Sequence, residues 1–342
     1  MAKKRESELE KMLTEGVIGL GSAKQWEYDR IKFNIPDLDV LTGGGIPQKR
    51  FTIMTGQTSS GKSYLASQAI KSVQQTMKAD GVFPVWIDTE MSWDKNWMLK
   101  CGLDLDRIYV IQPDNAEQAF LVARAALNDG CPLVVLDSVA GLLPAYIDDE
   151  DFGYNPMAWQ ARFVNQSIPK LFPHLKNGSA MIWINQVRAS MGPVSLDNMP
   201  GGVGQTFFSH MLLQVKREGW INEKDNVAAS KKIGFEMRVR SRKSKVGGEV
   251  WDQCVVPFKI DGGIDLLEMT LRVAVAKDII VRRGAWYNLG DAAETKVSGM
   301  GGVRKYVLEH PEYRAWLEER VDVDEALPDI DLDPVEEIGT LL

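Results

Sequence analysis

The chain has 342 residues, 44% of them apolar and 25% charged, with a formal net charge of −7. This composition excludes a disordered or low-complexity protein and suffices for one large domain with small appendages, or for two domains. No apolar run approaches the roughly 18 residues of a membrane span, and Met1 to Glu8 lead into no apolar leader core, so the sequence predicts a cytoplasmic protein with no membrane partner.

Charge is unevenly spread. Residues 317–342 carry ten acids against one Arg, a net of −9, which leaves the other 316 residues at +2. A mildly basic body with an acidic tail does not exclude nucleic acid. Cys101, Cys131 and Cys254 fit no metal spacing and are read as reduced. His174, His210 and His310 form no cluster in sequence.

In chain order, residues 5–15 place Leu9, Met12 and Leu13 on one face of a short helix. It is too short to fold alone, so its face needs its own core or a neighbouring subunit. Ile35–Leu41 reads as a short helix, Gly43–Gly45 as a turn, and Arg50–Thr55 as a strand. Gly56-Gln57-Thr58-Ser59-Ser60-Gly61-Lys62-Ser63 then fits G-x-x-x-x-G-K-[ST] at every fixed position. A helix follows from Tyr64 to Met77, with Leu65, Ala69, Ile70 and Val73 on one face.

Strand, glycine turn and helix start together make a phosphate cradle. The glycines allow backbone angles that a Cβ resists, and the N–H groups at the helix start favour an anion. Lys62 is expected to reach the β- and γ-phosphates and Ser63 to ligate Mg²⁺. The whole run from Gly56 to Tyr64 is assigned to nucleotide binding.

Further strands are predicted over residues 82–88, 108–111, 133–137, 181–186, 211–216 and 235–242. Helices are predicted near 93–101, 116–128 and 158–176. Apolar strands alternating with helices imply an α/β fold with a mainly parallel sheet covered on both faces. Ligands in such sheets gather at the carboxyl ends of strands, where Gly56, Glu90, Asp137 and Gln186 fall. Asp137 suits Mg²⁺, and Glu90 suits a base that orients the attacking water. Gln186 suits a neutral sensor of the γ-phosphate. The plain alternatives are helix-capping carboxylates and a surface Gln.

Residues 147–157 and 188–204 are two long loops on that carboxyl side. Arg162 and Arg188 suit phosphates, and Met157, Met191 and Met199 suit wedging between bases; the alternative is ordinary flexible loops. Arg238, Arg240 and Arg242 share one strand face, with Lys243 and Lys245 next, which suggests an anion site or, more plainly, a solvated edge strand. From Ile279 a small module begins, with a helix over 303–319. The tail after Val321 has no packing pattern and is predicted to be disordered.

Taken together, Gly56–Ser63, Ile87-Asp-Thr-Glu90, Leu136-Asp-Ser138, Ile184-Asn-Gln-Val-Arg188, Gly201-Gly202, Lys243-Ser-Lys245, Asp261-Gly-Gly-Ile-Asp265 and Gly284-Ala-Trp-Tyr287 resemble the RecA-type recombinases, bacterial and phage, over about residues 15–320. The resemblance implies a RecA-like P-loop ATPase core with a twisted, mainly parallel sheet. It implies segments 1–33 (oligomerisation helix and linker), 34–278 (core, with DNA-binding loops near 147–162 and 188–204), 279–320 (small C-terminal domain) and 321–342 (acidic disordered tail). It implies ATP and Mg²⁺ as cofactors, a helical filament on single-stranded DNA, pairing with a homologous duplex, and strand exchange. Single-strand-binding and loader proteins become partners, in a bacterial cytoplasm or that of a phage host.

By position, Glu90 matches the catalytic glutamate, Gln186 the γ-phosphate switch, and Lys243 and Lys245 the pair reaching a neighbour's ATP. Asp94 and Trp97 match the adenine contacts. Met157, Arg162, Arg188, Met191, Gly201 and Gly202 fall in the DNA-binding loops, and Phe207 matches an aromatic at the subunit contact. Two departures stand out: the second loop is about two residues shorter by alignment, and Pro169 replaces a basic residue. Two other readings remain at this point, a ring helicase on the same core and an ATP-binding switch with protein partners only.

Overall fold

A computed structural model describes Met12 and residues 27–77, 81–145, 156–175, 177–187, 200–202, 204–222, 231–247, 253–260, 263–290 and 295–321. All of the expected helix over 5–15 except Met12, the tail after 321, residues 147–155 and 188–199, and with them Arg188 and Met191, lie outside the described residues. The first turn of a helix includes Met157 by its backbone, but its side chain also lies outside them.

The described chain opens with β1 (Arg30–Ile31), α1 (Pro36–Thr42) and β2 (Ile46–Pro47), and β1 and β2 pair antiparallel. Asp39, buried, ties this corner by accepting the Phe33 and Ile35 N–H groups at 2.7 and 3.1 Å. Then come β3 (Phe51–Gly56), α2 (Lys62–Thr76), β4 (Val85–Asp88), α3 (Lys95–Lys100), β5 (Tyr109–Ile111), α4 (Ala116–Asn128), β6 (Leu133–Asp137), α5 (Pro156–Leu175), β7 (Ala180–Gln186), α6 (Gly204–Phe208), β8 (Met211–Asn222), β9 (Lys232–Ser244), β10 (Gln253–Lys259) and β11 (Gly263–Ile264).

β3 to β11 form one nine-stranded sheet in the order β11-β10-β9-β8-β3-β7-β6-β4-β5. The six strands from β8 to β5 run parallel, and β9, β10 and β11 add antiparallel. The α/β expectation therefore holds, with an antiparallel extension on one side. β3, β4, β6 and β7 are buried along almost their whole length because side chains alternate between two covered faces. On one face Phe51, Ile53, Val134, Leu136, Met181 and Trp183 pack against α4 and α5, which present Ala119, Ala123 and Leu127, and Val164, Ile168 and Leu171. Trp183 sets its ring edge-on to Phe51 at 4.9 Å, a pairing that contributes about 0.5–1.5 kcal/mol beyond area burial. Buried Leu65, Ala66, Ala69, Ile70 and Val73 line α2.

Compact units meet in sequence at 265/266, not at the expected 278/279. The reason is α7 (Leu266–Ala276), whose apolar face packs with two later helices. The second unit continues with β12 (Val281–Arg283), β13 (Trp286–Asn288) and β14 (Lys296–Ser298), which form an antiparallel sheet, then α8 (Gly299–Glu309) and α9 (Pro311–Val321). The single helix expected over 303–319 is thus two helices. Pro311 has no N–H to continue α8 but suits the first turn of a new helix. The solvated-edge reading of the Arg238–Arg242 strand also fails, because β9 is flanked by β8 and β10. Among the described residues no helix is long and apolar enough to cross a membrane.

Candidate nucleotide site and cation cluster

The phosphate loop leaves the carboxyl end of β3. A Cβ on Gly56 would lie 2.0 Å from the Val215 carbonyl oxygen, so only glycine fits where β3 runs beside β8. The turn uses positive φ at Ser59 (56°) and Gly61 (100°). At Gly61 a Cβ would also meet Met237 Sδ at 2.0 Å. Gln57, Thr58 and Ser59 are exposed, while Ser60 and Lys62 are buried. Lys62 Nζ donates to the carbonyls of Gly56 (3.1 Å) and Gln57 (2.8 Å). Burial lowers the Lys62 pKa, against the pull of Asp137 and Glu90.

Ser63, in the first turn of α2, donates its hydroxyl to Asp137 Oδ2 at 2.7 Å. Asp137 ends β6, and burial raises its pKa to about 6 against the Ser63 bond. Among the described residues no three His, Cys, Asp or Glu group to hold a metal by themselves. Mg²⁺ on a triphosphate needs only one or two protein oxygens, the rest being phosphate and water. A hydroxyl and a carboxylate touching at a phosphate loop fit that requirement. The Asp137–Ser138 peptide is cis.

Glu90 stands in the turn after β4, and its Oε1 accepts from both Ser138 Oγ and Gln186 Nε2. Gln186, last in β7, in turn accepts Thr58 Oγ1 at 3.2 Å. Base candidate, switch candidate and phosphate loop are therefore one hydrogen-bonded chain. Asp88, fully buried at the end of β4, shapes the turn by accepting the N–H groups of Ser92 (3.1 Å) and Trp93 (2.9 Å) and the Gln112 amide (2.9 Å). Sequence reasoning missed Ser138 and Asp88 as supports, although each sits one or two residues from an assigned carboxylate.

Beside the loop a cleft of about 310 Å³ is lined by Tyr64, Trp97, Phe235, Met237, Phe258 and Ile260 along with Ser59–Ser63. Tyr64 and Trp97 meet Phe258 at 4.7 and 6.1 Å. Asp94 caps α3 by accepting the Trp97 N–H at 2.7 Å, so here it orients Trp97. Phe235, Met237, Phe258 and Ile260 were not foreseen. They come from β9 and the β10 end, far along the chain, and carry no local signal.

Lys243 and Lys245 are not brought to this loop. Lys243 pairs with Leu212, which pairs with Ile53, whereas Gly56 is level with Val215 and Val239. Three residues of strand separate the two levels, about 10 Å at 3.3 Å per residue. Lys243 Nζ instead donates to the carbonyls of Thr206 and Phe207, and its pKa is lowered to about 8 by burial and then by Lys245. Burial, with Arg50, Lys245 and Lys243, takes His210 down to about 4. His210 Nδ1 accepts the Phe51 N–H at 3.2 Å. This is a cation cluster, and among the described residues neither Lys243 nor Lys245 has an anionic partner. Arg238 pairs with Glu218 at 2.6 Å, and Arg240 donates to Gln253 at 2.8 Å. Of the DNA-facing assignments, Arg162 is exposed on α5, and Gly201 and Gly202 adopt left-handed φ of 81° and 72°. Phe207 is 72% exposed.

A parallel sheet with a phosphate loop, a metal-suited Ser–Asp pair and a carboxylate held by a glutamine defines a nucleoside-triphosphate hydrolase of the P-loop class. The family model described as the RecA N-terminal domain matches residues 3–260. The chain is 34% identical over 321 residues to Protein RecA of Aquifex aeolicus, covering 92% of this chain and 90% of that one. It is 31% identical over 311 residues to Protein RecA of Clostridioides difficile, covering 89% and 86%. The chain belongs to the RecA family. It is a DNA-dependent ATPase of homologous recombination that uses ATP and Mg²⁺, forms filaments on single-stranded DNA and catalyses strand exchange.

Proposed function

We propose the following division of labour. Lys62 and the loop N–H groups hold the β- and γ-phosphates, and Ser63 with Asp137 holds Mg²⁺. Trp97 and Tyr64, backed by Phe258, cover the base. Glu90 orients and deprotonates the attacking water, and Gln186 senses the γ-phosphate. Lys243 and Lys245 act on the ATP of an adjacent subunit, because their own loop is out of reach. Met157, Arg162, Arg188, Met191, Gly201 and Gly202 face DNA. A homologous duplex is the second DNA partner, single-strand-binding and loader proteins are further ones, and the setting is the cytoplasm of a bacterium or of a phage host.

One observation carries this reading: Glu90 Oε1 accepts from Gln186, and Gln186 is bonded to Thr58 of the phosphate loop. A γ-phosphate arriving at the loop competes for the Gln186 amide and so frees the Glu90 carboxylate for water. Glu90→Gln is expected to slow single-stranded-DNA-stimulated ATP turnover by about 100-fold or more, the scale of losing a general base, with ATP-dependent DNA binding retained. Turnover at the parent rate removes Glu90 from the role.

A further inference from the structure

A buried polar junction lies beside the switch residue, and none of the roles above uses it. Asn185 and Gln205 are both 0% exposed. Asn185 Nδ2 donates to the Pro200 carbonyl (2.8 Å) and to Gln205 Oε1 (3.0 Å). Gln205 Nε2 donates to the Pro200 carbonyl (2.6 Å) and the Gly202 carbonyl (2.9 Å). These contacts fix both amides, since turning either would set its oxygen against the Pro200 carbonyl oxygen. The same orientation leaves Asn185 Oδ1 buried with no donor among the described residues.

The junction stands between two functional places. Gln186, the next residue of β7, grips Glu90 and Thr58. On the other side Gln205 lies in α6, and the next two residues, Thr206 and Phe207, present their carbonyls to Lys243 Nζ. Buried amide pairs resist separation because parting them bares several polar groups at once in a medium of low dielectric. An apolar side chain of equal size would fill the space without making the tie.

We propose that Gln205, with Asn185 as its partner, is a positioning residue that ties the Gln186 end of β7 to the Gly201–Gly202 turn and, through α6, to Lys243. A change of nucleotide at Gln186 then moves the DNA-facing turn and the inter-subunit cation together. This rests on the ATP and DNA assignments made above.

The test is Gln205→Met in the full chain, which keeps side-chain size and removes the hydrogen bonds. ATP turnover is measured without DNA and with excess single-stranded oligothymidylate. The expected result is DNA-free turnover and KM for ATP within about threefold of the parent, with DNA stimulation reduced by about tenfold or more. The double variant with Gln186→Ala is expected to lose no more stimulation than the worse single variant, as for residues acting as one unit. Parent-like stimulation in Q205M, multiplicative losses in the double variant, or an equal fall in every parameter overturns the junction. Absence of stimulation in the parent overturns the underlying assignments as well, which distinguishes the two failures. Should Q205M melt more than about 10 °C below the parent, Gln205→Asn, whose amide is withdrawn by one methylene, is read against the same outcomes.

Discussion

The two ends of the central strands differ in what they lack. At the carboxyl end, Lys62, Ser63, Glu90, Asp137 and Gln186 meet within one chain, and each has a hydrogen-bond partner there: a loop carbonyl, a carboxylate, a hydroxyl or an amide. Nearer the other end, Arg50, His210, Lys243 and Lys245 lie together, burial first and then the three cations take His210 down to about 4, and no carboxylate joins the two lysines among the described residues. The first group is a centre complete enough to bind a nucleotide. The second is a concentration of positive charge with no carboxylate on its two lysines among the described residues. Like charges held together without a counter-ion cost stability, and an anion brought by another copy, as proposed above, would offset that cost.

Three experiments bear on this contrast, taken from the largest expected effect downward. Lys62→Ala should lower ATP turnover by about 100-fold or more and abolish ATP-dependent filaments, because a buried cation at the transferred phosphate is lost. Filaments that persist unchanged in electron micrographs would remove the carboxyl end from assembly.

Mixing asks whether the second end works across subunits. Glu90→Gln, slow in turnover but able to bind DNA with ATP, supplies an intact Lys243, and Lys243→Ala supplies an intact loop. In an equimolar mixed filament about a quarter of head-to-tail contacts pair two intact halves. Turnover should recover to roughly that share of the parent's, although each variant alone is slow. No recovery, in filaments shown by microscopy to contain both variants, would place Lys243 in its own chain's site.

The smallest effect is in pH. A lysine ordinarily loses its proton near 10.5, and Lys243 does so near 8 because burial and Lys245 disfavour the charge. The unfolded chain therefore binds the extra proton between those values, so the burial penalty on stability is relieved as pH rises through 8. Over the same range the charge offered to a neighbour fades. Hence kcat/KM for DNA-stimulated turnover should fall above about pH 8, while Lys243→Arg, which stays charged, should move that limb upward by more than about one unit. A limb that stays near 8 in an active K243R assigns it to another group.

Much of the carboxyl-end site was legible because its signals are local. The loop pattern from Gly56 to Ser63 fixes residue types at fixed spacing, and Asp137 and Gln186 each end an apolar run that reads as a strand. The base cleft was less legible. Trp97 lies seven residues past Glu90, but Phe235, Met237 and Phe258 arrive by the antiparallel strands β9 and β10, whose pairing depends on register rather than on any motif. The domain boundary was misplaced for a similar reason. The α7 segment has the same helical pattern whichever unit it joins, and only its partners α8 and α9 decide. The break at Pro311 had a local cause that helical spacing on both sides concealed.

By itself the sequence determined the chemistry of phosphate and metal binding and the alternation that makes a parallel sheet, since both follow from neighbours a few residues apart. Tertiary structure alone decided that Glu90, Gln186 and Thr58 form one hydrogen-bonded line, and that Lys243 sits about 10 Å down the strands from its own loop. Those facts come from strand order and register, which are set by packing between segments far apart in the chain.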